Sequence, residues 1–247
     1  MYKKIIVYEG SCQSTTQVDG REFLRFKLEP LLTNLRKEWK DKDCPTEIQD
    51  ALFKCPSFVR SLKNTFVYKC PYDLEISYDN QKQWQINLVS PALISDHNSK
   101  NIMESGLEDN HVVQLFSGEG SRLFFADKPC EMTLEQPYFH RQDLTSLSGT
   151  FDIGRWFRPI HPAIINFGQK DFTIKRGEPL LYLRFPKDAK IEIRRTMLDA
   201  DLLRLSNGTS GYKSYKHMAS LKELYDYFAT AVNKKRILKK LEQNRID

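Results

Sequence analysis

Pro137-Tyr-Phe-His140-Arg-Gln-Asp143 is the most suggestive polar cluster in the chain. A non-haem iron centre on a β scaffold needs two histidines and one carboxylate, with coordination positions left open. His140 and Asp143 supply one of each, and the third ligand would be His161 or His217. The spacing argues against it. Residues three apart on a strand point to opposite faces, whereas a His-x-Asp pair shares one. No His-x-His pair is present either. His140 and Asp143 therefore stand as weak metal candidates, with iron as the cofactor if the chain is a jelly-roll oxygenase. The competing reading is a loop in which His140 bonds to backbone.

A second cluster follows at Asp152, Arg155, Trp156, Phe157, Arg158 and His161. Guanidinium groups grip phosphate or carboxylate bidentately, and aromatic rings stack on bases. Arg155, Trp156, Arg158 and His161 thus form a candidate ligand shelf. Equally, Trp156 and Phe157 fill a core while the arginines bond to carboxylates or carbonyls. Asp152 is the candidate catalytic acid, although an Asp beside a turn also serves as an acceptor for backbone N–H groups.

Other chemistry finds less support. The chain has no Gly-x-Ser-x-Gly, no Walker-type Gly-Lys-Ser/Thr and no cysteine with a convincing histidine partner. Cys44, Cys55 and Cys70 each precede a proline, but they lie 11 and 15 residues apart with no histidine between them. Zinc ligands arrive as closer pairs, so these cysteines read as buried thiols. The backbone amides of Ser117-Gly-Glu-Gly-Ser121 could face an anion, as nests do, but a plain turn accounts for them too.

Strands position these residues. Lys4–Tyr8 reads as a first strand, followed by a polar loop from Glu9 to Gly20. Leu31, Leu32, Leu35 and Trp39 fall on one face of a helix spanning Glu29–Trp39, with Pro30 in its first turn. A short helix to Lys54 begins near Thr46-Glu-Ile-Gln49, and Ser57–Lys63 forms another turn. From Thr65 onward, period-two alternation marks Phe66–Lys69, Leu74–Tyr78, Trp84–Leu88, His111–Phe116, Arg122–Ala126, Glu131–Leu134, Ala163–Phe167, Phe172–Ile174, Leu180–Phe185 and Ile191–Arg195. Pro91–Asp109, which contains His97, reads as a loop. Ser206–Gly211 reads as a linker, and one helix is expected from Ser220 to about Glu242, docked by its first half through Leu221, Leu224, Tyr225, Phe228 and Val232.

Phe172-x-Ile-Lys-Arg-Gly-x-x-Leu-x-x-Leu-x-Phe185 resembles the penultimate strand pair of the dUTPases and dCTP deaminases, a trimeric jelly-roll family. Gly149-Thr-Phe-Asp152 and the Asn166-Phe-Gly168 turn match that family's layout with one extra residue. The resemblance covers Gly149–Phe185. It implies a nucleotide hydrolase or deaminase, with Asp152 as the general base for water and Mg²⁺ as cofactor. The chain departs from the family where chemistry sits. Gly154-Arg-Trp-Phe-Arg158 replaces the Tyr-Arg-Gly that should follow the Asp, no Gly-Arg-Ser-Ser loop exists, and the glycine-rich tail is only echoed in Gly208–Ser214. Lys69–Glu75, Pro137–His140 and Phe151–Pro159 are also similar to a family of marine bacteriophage proteins. That likeness spans most of the chain and implies no particular activity.

The whole sets the class. The 247 residues, 40% of them hydrophobic, are enough to bury a full core. No apolar run approaches a membrane span, and Ile5-Ile-Val-Tyr8 is too short for a signal peptide's apolar region. Five cysteines without a secretion signal suit a reducing cytosol. The formal charge is +6, and from Tyr212 onward seven Lys and two Arg stand against four acids. That basic tail reads as a solvated helix face rather than a nucleic-acid footprint. The expected fold is mainly β (α+β): a jelly-roll or β-sandwich core over 65–195, with strand and helices from 1–64 packed on it. A linker and basic amphipathic helix at 196–247 complete one folded unit. The expected role is non-enzymatic, a phage-type accessory or structural binding domain. No cofactor follows from the residues themselves. Its partner would be another protein, held by the C-terminal helix or the Trp156 cluster, or a second copy of the chain. It would work in the cytoplasm of an infected host or in the virion.

Overall fold

A computed structural model describes residues 3–12, 24–41, 46–78, 84–87, 94–98, 111–115, 122–141, 145–166, 171–206, 223, 226 and 230–247. Asp143, His217, Cys44, Gly168, Ser220 and the segments Ser117–Ser121 and Gly208–Ser214 lie outside the described residues.

The protein is sheet-rich, with helices added at both ends of the chain. The first sheet sets β1 (Lys3–Cys12) between β8 (Leu123–Ala126), antiparallel, and β15 (Ala189–Leu198), parallel over ten residues. A second, antiparallel sheet has the order β11 (Gly149–Asp152), β9 (Glu131–Glu135), β14 (Pro179–Arg184), β3 (Thr65–Lys69) and β2 (Glu29–Pro30). In the third, β10 (Thr145–Ser146), β12 (Ala163–Asn166), β7 (His111–Leu115) and β6 (Ile94–Asn98) run side by side. The fourth joins β13 (Phe172–Ile174), β4 (Leu74–Tyr78) and β5 (Trp84–Asn87).

Alternation along the strands sorts their side chains into layers. Ile5 and Val7 of β1, Phe124 and Ala126 of β8, and Leu181 and Leu183 of β14 share the main core. The opposite faces are also covered. Tyr8, Leu123 and Phe125 meet Leu198, Leu202, Ile237 and Leu241, which belong to the C-terminal part of the chain. Val67 and Tyr182 meet Leu31, Leu35 and Leu62 of the N-terminal helices. Each of these two sheets is therefore buried on both faces, and burying a Leu- or Phe-sized side chain contributes about 1.5–3 kcal/mol.

Three expectations need correction. Glu9–Cys12 is the second half of β1 and not a loop, and Glu9 is fully buried. Ile94–Asn98, including His97, is a strand paired with β7. Residues 200–206 are helical, and residues 207–211 of the expected linker lie outside the described residues. The C-terminal helix is not continuous from Ser220. Glu223 and Asp226 are helical, but Thr230 is extended (ψ 143°) and a separate helix runs Ala231–Gln243. It docks through Ile237 and Leu241, while Val232 is 78% exposed. Among the described residues no helix is long and apolar enough to cross a membrane.

Candidate functional site

The turn between β13 and β14 lines a cleft. Gly177 has φ +86°, a left-handed conformation that a Cβ would strain. Its N–H donates to the Cys70 carbonyl (2.8 Å), and the Glu178 carbonyl accepts from the Cys70 N–H (2.8 Å). The Glu178 carboxylate folds back to accept the Lys175 N–H at 2.9 Å, and Asp73 accepts the Arg176 N–H at 2.9 Å. Two strands in different sheets are thereby held across one tight turn.

Opposite this turn stands the segment Pro137–Arg141. Its His140 side chain is 5% exposed, and both ring nitrogens are engaged. The Phe139 N–H donates to the Tyr182 hydroxyl (3.2 Å), which lies 2.6 Å from His140 Nδ1. His140 Nε2 lies 2.9 Å from Asn34 Oδ1 and 3.1 Å from Glu38 Oε1. Asn34 is oriented by its own donation from Nδ2 to Glu29 (3.2 Å). The Glu38 carboxylate and Asn34 Oδ1 both accept at Nε2, which places a ring proton there. Burial pushes the Tyr182 phenol up from its ordinary value, so it stays a donor.

Arg141 completes the wall. Its Nη1 donates to Glu178 (3.2 Å) and its Nη2 to the Thr173 carbonyl (3.0 Å). Glu38, His140, Arg141, Thr173, Arg176, Gly177, Glu178 and Pro179 line an open cleft of about 680 Å³. Among the described candidate site residues, His140 lines this cleft and Asp152, Arg155, Trp156, Arg158 and His161 do not. Asn34, Glu38 and Tyr182 were missed because they sit on a distant helix and strand, where no local spacing could connect them to His140. A metal on His140 would have to displace Tyr182 from one nitrogen or Asn34 and Glu38 from the other. Among the described residues no three His, Cys, Asp or Glu side chains are grouped to hold an ion.

The Asp152 cluster has a different construction. Asp152 Oδ1 accepts the N–H groups of Cys130 (3.2 Å) and Gly154 (3.0 Å), and its carbonyl accepts those of Arg155 and Trp156. Arg155 pairs with Asp226. Trp156 packs edge-on against Phe151 (4.8 Å), and the Arg158 guanidinium lies 5.4 Å from its ring centre. Phe157 is buried against Phe125 (5.1 Å) in the second core. His161 is half-buried. Lys234 of the C-terminal helix reaches the Gly154 carbonyl at 2.9 Å and tethers that helix to the same turn.

Cys70 and Cys130 are both buried. Burial pushes Cys70 and Cys130 up to about 12, so both stay protonated at neutral pH. No protein-family model matches the chain, and none of the curated proteins matches it.

Proposed function

We propose that this chain is a non-enzymatic binding protein, and that the cleft around His140 is where its ligand sits. The observation that carries this reading is the state of the cleft's polar groups. They are pre-organised by bonds to one another: His140 to Tyr182, Asn34 and Glu38, and Arg141 to Glu178 and Thr173. A rigid polar wall binds without the cost of ordering its own side chains. A general base, by contrast, needs a lone pair directed at substrate, and His140 spends both nitrogens on protein partners. Asp152 Oδ1 holds two backbone N–H groups, the work of a turn-forming acid.

The finer architecture follows the same reading. The sheet containing β14 and the sheet containing β1 contribute to one core, and helices cover both outer faces. That layering supports a β-sandwich or jelly-roll, the scaffold expected of a phage-type accessory or structural domain, acting in an infected cell or in the virion.

The test separates binding from turnover. Wild type is screened by thermal shift against neutral disaccharides, citrate, dUTP and dCTP with Mg²⁺, while pyrophosphate and ammonia release are followed. A stabilising ligand that emerges unchanged, and whose effect is lost in Arg141→Ala, supports the proposal. Nucleotide turnover that disappears in Asp152→Asn would replace it with the dUTPase-like reading.

A further inference from the structure

We infer that the cleft takes a neutral, polyhydroxylated ligand, a saccharide, in preference to an anion such as a nucleotide. This rests on the cleft being the ligand site and deepens that reading by naming the ligand's chemistry. The first observation is charge balance. Two arginines, Arg141 and Arg176, line the cleft together with two acids, Glu38 and Glu178. Guanidinium and carboxylate side chains are thus equal in number along the lining.

The second observation is how those charges are already used. Arg141 Nη1 lies 3.2 Å from Glu178 Oε2, and the same oxygen accepts the Lys175 N–H. Glu38 Oε1 lies 3.1 Å from His140 Nε2. An entering phosphate would have to compete with Glu178 for Arg141 while meeting two carboxylates of its own sign. An entering ammonium would meet the two arginines. Either ion trades one paired charge for another after losing its water, which brings little net gain.

A hydroxyl group escapes this conflict. It donates one hydrogen bond and accepts two, so it can accept from a guanidinium N–H while donating to the carboxylate beside it. Adjacent hydroxyls on a pyranose ring repeat that pattern at the spacing of an Arg–Glu pair. The volume of about 680 Å³ falls within the roughly 300–1,000 Å³ usual for small-molecule sites. Pro179 supplies an apolar wall.

Saturation-transfer NMR on the full chain tests the inference with maltose, cellobiose, lactose and N,N′-diacetylchitobiose, alongside dUMP and citrate. At least one neutral disaccharide should show transfer, and its Kd should rise ten-fold or more in Arg176→Ala and in Glu178→Gln. Glu178→Gln retains an acceptor for the Lys175 N–H, so it keeps the turn, and near-identical amide spectra would show that the fold is intact. Binding of dUMP or citrate, sensitive to Arg176→Ala, with no saccharide bound, overturns the ligand class but leaves the cleft as the site. A saccharide whose affinity is unchanged in both variants overturns the cleft itself, as does silence from all six probes.

Discussion

The Tyr182 hydroxyl bridges the Phe139 N–H (3.2 Å) and His140 Nδ1 (2.6 Å), tying the central strand of the second sheet to the cleft. Tyr182→Phe removes that bridge and leaves a backbone donor and a ring nitrogen with nothing in its place. Stranding buried polar groups costs about 1–3 kcal/mol. Urea denaturation should show a loss of that size with an unchanged m-value. A loss below about 0.5 kcal/mol, no larger than an ordinary surface change, would mean that the bridge is not maintained in solution.

Glu9 and Arg122 form an ion pair at 3.0 Å with neither side chain exposed. Arg122 also stacks on Tyr68 (4.5 Å) and donates to the Phe26 carbonyl. Arg122→Met strands a buried carboxylate, and breaking one partner of such a pair costs about 3–5 kcal/mol. The double variant Glu9→Leu with Arg122→Met should be markedly more stable than Arg122→Met alone. Equal instability of the two would show that the charge is not what matters.

The same site predicts a pH signature. Burial pushes the Glu9 carboxyl above its ordinary value, against the opposing pull of Arg122 and Arg195. An acid whose folded pKa is raised binds its proton more tightly when folded, so its share of stability is complete below the ordinary carboxylate range. That share falls as pH climbs through the raised value. Glu9→Gln should flatten this decline in a stability–pH profile. An unchanged slope would contradict the shift.

Gly154 lies where a Cβ would stand 2.6 Å from the Lys128 carbonyl oxygen and 2.9 Å from Pro129 Cα. Both are backbone atoms, so the strand connection must move. Gly154→Ala should cost about 1–3 kcal/mol, the scale of overpacking. Asp152→Ala should cost a similar amount by orphaning the Cys130 and Gly154 amides, whereas Asp152→Asn keeps an oxygen for them and should cost less than about 1 kcal/mol. Chemical denaturation of the three variants checks the order. Asp152→Asn as damaging as Asp152→Ala would show that the negative charge, and not the acceptor, is needed there.

How far the sequence reached can be seen residue by residue. β1, β3, β4 and β14 were legible because Ile, Val, Leu and Phe alternate or cluster between turn residues. Ile94–Asn98 was not, since Ser95, Asp96, His97 and Asn98 have little β propensity of their own and owe their conformation to pairing with β7. Glu9 looked like the start of a loop because a charge rarely enters a core; only Arg122, far along the chain, makes its burial tolerable. Thr230 carries no strong helix-breaking signal, so the interruption there was invisible to a helical period. His140 drew attention as a residue type. Its partners Asn34, Glu38 and Tyr182 come from a helix and a strand that only tertiary structure brings beside it.

The location of binding is the central claim, and a backbone amide NMR titration tests it most directly. Isotope-labelled full chain is titrated with whichever of the neutral saccharides, citrate or nucleotides binds. The account predicts shifts concentrated at Glu38, His140, Arg141, Thr173, Gly177 and Glu178, with Asp152–Arg158 unmoved. Shifts centred on Asp152, Arg155 and Trp156, with the His140 cleft silent, would contradict it.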